Sequence, residues 1–185
     1  MSLDDWLVEL AYTDFPSELI RTDSTVGTRP YATEIEEMLS VDRGIRASAV
    51  FCVDELPTVC FIDADMLTGD AEQRIEQIRQ KVWNQNLASV VLVLNSESLA
   101  AYSVTNREAE PDTLLRANVE RRGSWSAYEI QSGFIRDRLS DWFSPEARVD
   151  QRLLANLHQV VKSLVRDGLN AGLFSSPQVT VYAMA

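Results

Sequence analysis

Ser48-Ala-Val-Phe-Cys-Val-Asp-Glu-Leu-Pro-Thr-Val-Cys-Phe-Ile62 decides the fold. Ser48–Val53 and Thr58–Ile62 are rich in β-branched and aromatic residues, and four turn-type residues, Asp54 to Pro57, part them. Two such runs around a short polar break predict an antiparallel hairpin. Asp63-Ala64-Asp65 closes the second run. Working outward, Ala71, Ile75, Ile78 and Val82 recur at three- and four-residue steps behind Asp70, so a helix capped by Asp70 is expected over 70–84. Ala88–Leu94 is apolar on both faces, as a central strand requires. Asn95-Ser96 turns it, and Ser98–Val104 returns as its partner. The order from residue 48 is therefore β-β-α-β-β. It predicts an α/β (α+β) protein with a mixed four-stranded sheet flanked by helices.

Further from that core, Trp6, Leu7, Leu10 and Ala11 give a loosely helical pattern between Asp4 and Ile20. Tyr31–Leu39 reads as a second helix after Pro30, with Glu34, Glu36 and Glu37 on its solvated side. On the other flank, 106–112 is a polar loop containing Pro111, and 126–143 reads as helical around Phe134, Ile135, Leu139 and Trp142. Asp150–Val165 is amphipathic, with Gly168 suited to cap it. These patterns divide the chain into an α/β core over 1–105 and a mainly helical extension over 106–185. Pro177–Ala185 opens an apolar run and stops without a capping signal, so the sequence reads as the front piece of something longer.

Acidic residues outnumber basic ones 28 to 17, and the formal net charge is -11. Fifteen of the 17 basic residues are Arg; Lys81 and Lys162 are the others. That balance argues against a surface that grips nucleic acid mainly by phosphate neutralisation, and it leaves room for a local basic groove. No apolar run reaches the ~20 residues of a membrane span. No basic-then-apolar leader opens the chain, so a cytoplasmic protein is expected. Cys52 and Cys60 sit in strand-like runs and read as buried, reduced thiols. A single histidine, His158, gives little basis for a zinc site or a nucleophile–histidine pair.

The carboxylates flanking the hairpin are the first candidates for chemistry. Asp54, Glu55, Asp63 and Asp65 stand at strand ends, where paired carboxylates can hold Mg²⁺. Each also has a plainer reading, Asp54 and Glu55 as a polar turn and Asp63 and Asp65 as an acidic strand end. Arg121-Arg122 is the one adjacent basic pair and lies beside Trp125 and Tyr128. Basic and aromatic groups together can contact a nucleic-acid strand, although a solvated loop explains the arginines as well. Trp83 reads as core packing and Asn84 as a helix cap. The seven glycines are scattered singly, so no loop is built to cradle a dinucleotide or S-adenosylmethionine.

Two segments resemble a known family. Val82-Trp-Asn-Gln-Asn-Leu-Ala-Ser-Val-Val-Leu-Val-Leu94 with Leu99-Ala-Ala-Tyr-Ser103, and Ala147-Arg-Val-Asp-Gln-Arg-Leu-Leu-Ala-Asn-Leu157, look like the N-terminal region of large bacterial adenine-specific (N-6) DNA methyltransferases of restriction-modification systems. The resemblance covers roughly residues 45–185. It implies S-adenosylmethionine as cofactor of the parent protein, DNA as its partner, and other restriction-modification subunits alongside. The family's Asn/Asp-Pro-Pro-Tyr/Phe motif and glycine-containing cofactor loop do not occur in this sequence, so no cofactor is expected in this piece.

The β-β-α-β-β order is also similar to the PD-(D/E)XK nuclease-like core. That resemblance implies an Asp at the start of the hairpin, then Asp/Glu-x-Lys on the next strand, with the carboxylates on Mg²⁺ and the Lys at the attacking water. Ser48 stands where the first Asp is expected, Asp63 on the Asp/Glu and Asp65 on the Lys. One of three positions matches, which implies a degenerate core. Three readings follow. The first is a catalytically inactive nuclease-like module of a DNA adenine methyltransferase, with a scaffolding or DNA-positioning role. The second is an active Mg²⁺-dependent nuclease using Asp63 with Asp54 or Glu55 and Lys81. The third is an acidic protein-interaction or DNA-mimic domain.

Overall fold

A computed structural model describes residues 3–41, 45–143 and 161. The chain divides into two compact units, residues 1–143 and 144–185. The expected helix over 150–165, its Gly168 cap, His158 and the family-like segment at 147–157 all lie outside the described residues.

Six strands form one sheet in chain order: β1 (Leu19–Arg21), β2 (Ala49–Val53), β3 (Leu56–Asp63), β4 (Val90–Leu94), β5 (Ser98–Ser103) and β6 (Asp112–Leu115). Every neighbouring pair is antiparallel except β3 and β4. A parallel pair needs a crossover, and the helix α3 (Ala71–Gln85) supplies it. The α/β class and the β-β-α-β-β order hold, while the sheet gains an edge strand on each side of the four expected. The missing pair has a local cause. β1 is three residues long, and the stretch read as one helix over 4–20 is broken by Ala11 in the left-handed region (φ 61) and by Pro16. There α1 (Leu3–Glu9) is the one α-helix, followed by a single 3-10 turn at Tyr12–Asp14. β6 alternates half-buried and exposed positions over four residues, too few to show a period.

The hairpin turn is tighter than the sequence suggested. Asp54 and Glu55 alone form it, at φ 49 and 67, both positive as a type I′ turn requires. β3 already begins at Leu56, so Pro57 lies inside a strand, opposite Cys52 where the β2 register shifts. β4 pairs only from Val59 onward, so no ladder bond is lost to the proline.

Side chains alternate across the sheet and bury both faces. On one, Phe51, Phe61, Leu92 and Leu99 meet Trp6 and Leu7 of α1, Tyr12, and residues of α4 (Ala127–Ser132) and α5 (Phe134–Arg138). On the other, Val50, Cys60, Ile62, Val91 and Val93 meet α3 and α2 (Ala32–Leu39) through Ile35, Met38, Ile78 and Val82. β4 is buried at all five positions because it carries both cores. Asp70 caps α3 by accepting the Gln73 amide at 3.2 Å, and Asn86, rather than Asn84, ends the helix in the left-handed region. Trp83 packs against the core beside α3. Arg79 on α3 is buried; its Nε and Nη2 donate to the Ser103 carbonyl at 3.1 and 2.8 Å, and Nη1 pairs with Glu76 at 3.0 Å. Burial pushes its guanidinium below the ordinary value, and the neighbouring Tyr102 works the other way.

The division at residue 105 does not survive. β6 pairs with β5, and Trp125, Ala127, Ile130, Ile135 and Trp142 lie in the same core as Phe51 and Leu92. Residues 106–143 therefore belong to the sheet unit. Their expected single helix is instead two short ones, broken at Gly133 (φ 78). Among the described residues no helix is long and apolar enough to cross a membrane.

Candidate functional site

In open sheets with parallel pairs, ligands gather outside the carboxyl ends of the parallel strands. β1, β3 and β4 run in one direction here, so Arg21, Asp63 and Leu94 end at one edge, and β2 starts at it. The Ser48 amide donates to the Phe61 carbonyl at 2.8 Å, which sets the start of β2 beside the end of β3. A cavity of about 410 Å³ opens there. Arg21, Arg46, Ser48 and Asp63 line it, with Asp4 and Asp23, and Val41 and Met66, 62% and 60% exposed, also line it.

The Asp63 Oδ1 accepts the Asp65 amide at 3.0 Å and caps the 3-10 turn Ala64–Met66. Asp65 is itself exposed. Arg21 Nη1 pairs with Asp4 at 2.6 Å. Arg46 holds a left-handed backbone at φ 62, a conformation that costs a non-glycine residue about 1 kcal/mol. Both guanidiniums can hold an anionic oxygen. Neither can take or give the proton of an attacking water, because arginine stays charged.

The structure separates residues that the nuclease reading joins. Asp54 and Asp63 stand at opposite ends of β3, roughly 23 Å apart at the rise of an extended strand, so they cannot share a metal ion. Glu55 goes with Asp54. Lys81 is ten residues along α3 from Ala71, about 15 Å down the helix axis from the end nearest Asp63. It does not supply the motif's lysine at Asp63. Ser48 does sit beside Asp63, so the hairpin alignment brings together the position it matched, Asp63, and the one where it found a serine. The nuclease-like pattern's own carboxylate pair is incomplete, because a serine stands in place of one member, and of the other carboxylates lining the cavity Asp4 is engaged by Arg21. Among the described residues no group of three or more His, Cys, Asp and Glu side chains gathers at metal-binding distance.

The basic–aromatic candidates change character. Trp125 is fully buried, its backbone amide donating to Glu129 Oε2 at 2.7 Å and its indole to Asp112 Oδ2 at 2.9 Å. In this conformation its ring is not available to stack on a base. Arg121 donates to both oxygens of Asp14, at 2.5 and 2.7 Å, and Arg122 lies over the Tyr128 ring, 4.9 Å from its centre. Tyr128 in turn donates to Asp14 at 3.0 Å. The pair closes a local acid–base cluster rather than presenting an open basic patch. Cys52 and Cys60 are buried and free. Burial raises their thiols to about 11 and about 12, the Cys52 shift being tempered by Arg29.

Sequence reading missed Arg21 and Arg46. Arg21 ends a strand of three residues that had read as a helix tail, and Arg46 follows a loop with no pattern of its own. The signal that existed was Pro16, which ends any helix spanning it and frees Leu19-Ile20-Arg21 to pair. No protein-family model, curated protein or solved structure matches the chain.

Proposed function

We propose that the sheet unit is a nuclease-like module without a cleavage centre, with a scaffolding or DNA-positioning role in a DNA adenine methyltransferase of a restriction-modification system. One observation carries the reading. The start of β2 and the end of β3 meet as a nuclease-like core requires, yet they bring Ser48 to Asp63. The strand order supports it too, with two antiparallel strands, a helical crossover and a parallel partner following α2. S-adenosylmethionine and methyl transfer then belong to other parts of the parent protein, together with any partner subunits. The active-nuclease alternative loses Asp54 and Lys81 as partners of Asp63, and with them its metal and lysine.

The test is incubation of the purified chain with supercoiled plasmid in Mg²⁺ or Mn²⁺. No nicking is expected. Nicking that disappears in Asp63→Ala would overturn the reading in favour of a working nuclease. The methyltransferase part stands or falls separately, on whether an Asn/Asp-Pro-Pro-Tyr/Phe motif lies downstream in the same open reading frame.

A further inference from the structure

Residues 134–143, comprising α5, the 3-10 turn Ser140–Trp142 and Phe143, lie across the aromatic face as a strap. The strap starts at Gly133, whose φ of 78 suits glycine and around which a Cβ would meet nothing within 4 Å. The joint is thus conformationally permissive and unencumbered. Phe134, immediately after it, is 67% exposed, and Ile135 is the first strap side chain that packing holds in the core. At five residues, α5 cannot hold itself together without tertiary contacts.

What fastens the strap is concentrated in a few groups. Arg138 donates through Nη1 to Asp112 Oδ2 at 2.6 Å, and through Nε and Nη2 to the two Glu129 oxygens at 2.7 and 3.1 Å. Its guanidinium also lies 4.9 Å from the Trp125 ring centre. These carboxylates are the ones that hold Trp125 in its left-handed backbone (φ 65). Burial opposes the charge on Arg138, but the bonds from Glu129 and Asp112 outweigh it and raise its pKa. At the far end Trp142 packs tilted against Trp125, their ring centres 5.5 Å apart, its carbonyl accepts from Thr105, and the Asp141 carbonyl accepts from Asn106 at 3.1 Å. A cavity of about 360 Å³, lined by Asn106, Glu108, Glu110, Arg138 and Asp141 among others, already lies against the strap.

We infer that residues 134–143 are a hinged strap, turning at Gly133 and latched by Arg138 on Asp112 and Glu129, that opens independently of the strands, draws Trp142 away from Trp125 and exposes both rings. The latch is ionic and partly exposed, with 31% of the Arg138 side chain accessible. Salt screens such a pair, whereas it does not weaken the apolar contacts of Ile135 and Trp142. Salt therefore acts on the latch selectively.

Native-state hydrogen exchange on the full 185-residue chain tests this. At 0.05 M NaCl, amides in 134–143 are expected to exchange faster than those of β2 to β4, and 1 M NaCl widens the ratio. Arg138→Gln should raise strap exchange by ~10-fold or more, the factor that ~1.4 kcal/mol gives. Sheet rates should hold, and the salt dependence of the strap should vanish. Equal exchange of strap and sheet at both salt concentrations overturns the proposal. So does a variant that speeds both by one factor. If Arg138→Gln fails to fold, the wild-type salt series decides alone. Neither result touches the plasmid assay, so the strap can fail while the nuclease-like reading stands.

Discussion

On one side of the sheet Tyr12 sets its ring edge-on against Phe51 and Phe61, at 4.8 and 4.7 Å, and its hydroxyl donates to the Trp125 carbonyl at 2.9 Å. On the other side Val50, Cys60, Ile62 and Val91 meet Ile78 and Val82 with no aromatic ring fully buried among them. The aromatic face joins segments from both ends of the sheet unit and fastens them with polar bonds from Trp6, Tyr12 and Trp125. Two helices cover the aliphatic face by volume and shape. Large rings bury more area per residue, and their polar tips need partners. The aromatic face is therefore both the more costly to damage and the more specific in its contacts.

Phe61 and Ile62 give the sharpest way to break that contrast, because they are neighbours on β3 that point to opposite faces. Truncated alike, Phe61→Ala is expected to cost ~3–5 kcal/mol and Ile62→Ala ~2–5 kcal/mol, with the aromatic loss the larger of the two. Urea denaturation with equal slopes reads both; similar losses at the two sites would end the distinction.

An alkaline titration probes the aliphatic face next. Cys52 and Cys60 have folded values of about 11 and about 12, above the 9.0 of a free thiol. Between those limits the unfolded chain binds fewer protons than the folded one, so stability falls as pH rises. The contribution is intact below pH 9 and lost on approach to 11 and 12. Each thiol accounts for up to ~1.4 kcal/mol per pH unit. Thermal melts from pH 8 to 11 should show the decline, and Cys60→Val should flatten it above pH 9; an unchanged slope in that variant refutes the assignment. Tyr12, raised by burial and then by Glu129, adds to the loss from the aromatic side.

The smallest effects are local. Asp70→Ala removes the α3 cap and should cost ~1 kcal/mol. Arg121→Ala breaks a pair whose arginine is 57% exposed and should cost less than ~1 kcal/mol. If a thermal-shift comparison reverses that order, the Arg121 cluster is part of the aromatic face rather than a surface contact.

The two faces also differ in how legibly the sequence wrote them. The aliphatic face was readable because α3 repeats its apolar residues over 15 positions and β4 is apolar throughout. The aromatic face was not. Its supports are helices of five to seven residues and 3-10 turns, too short to register a period, and its Tyr12–Trp125 bond joins residues 113 positions apart. The same lack hid the site. Asp63 and Ser48 were legible from the hairpin register, since alignment across a turn is local. Arg21 and Arg46 depend on an edge strand and a loop that show no periodicity. Trp125 invited a surface reading because it follows two arginines and a glycine, yet its left-handed backbone folds it inward against Asp112.

The chain-order arrangement of the six strands bears on synthesis at the ribosome. The residues of the aliphatic core run from Ile20 to Val104, so that half can close as soon as β5 has emerged. The aromatic half cannot, because Trp6 and Tyr12 must wait for Trp125, Ile135 and Trp142. For that interval a nascent chain carries a finished layer on one side and bare rings on the other. Uncovered apolar surface of this kind is what chaperones bind and what drives premature association. Residues 116–143 are therefore the last of this core to be made, and slowing translation just before them is expected to lengthen the exposure.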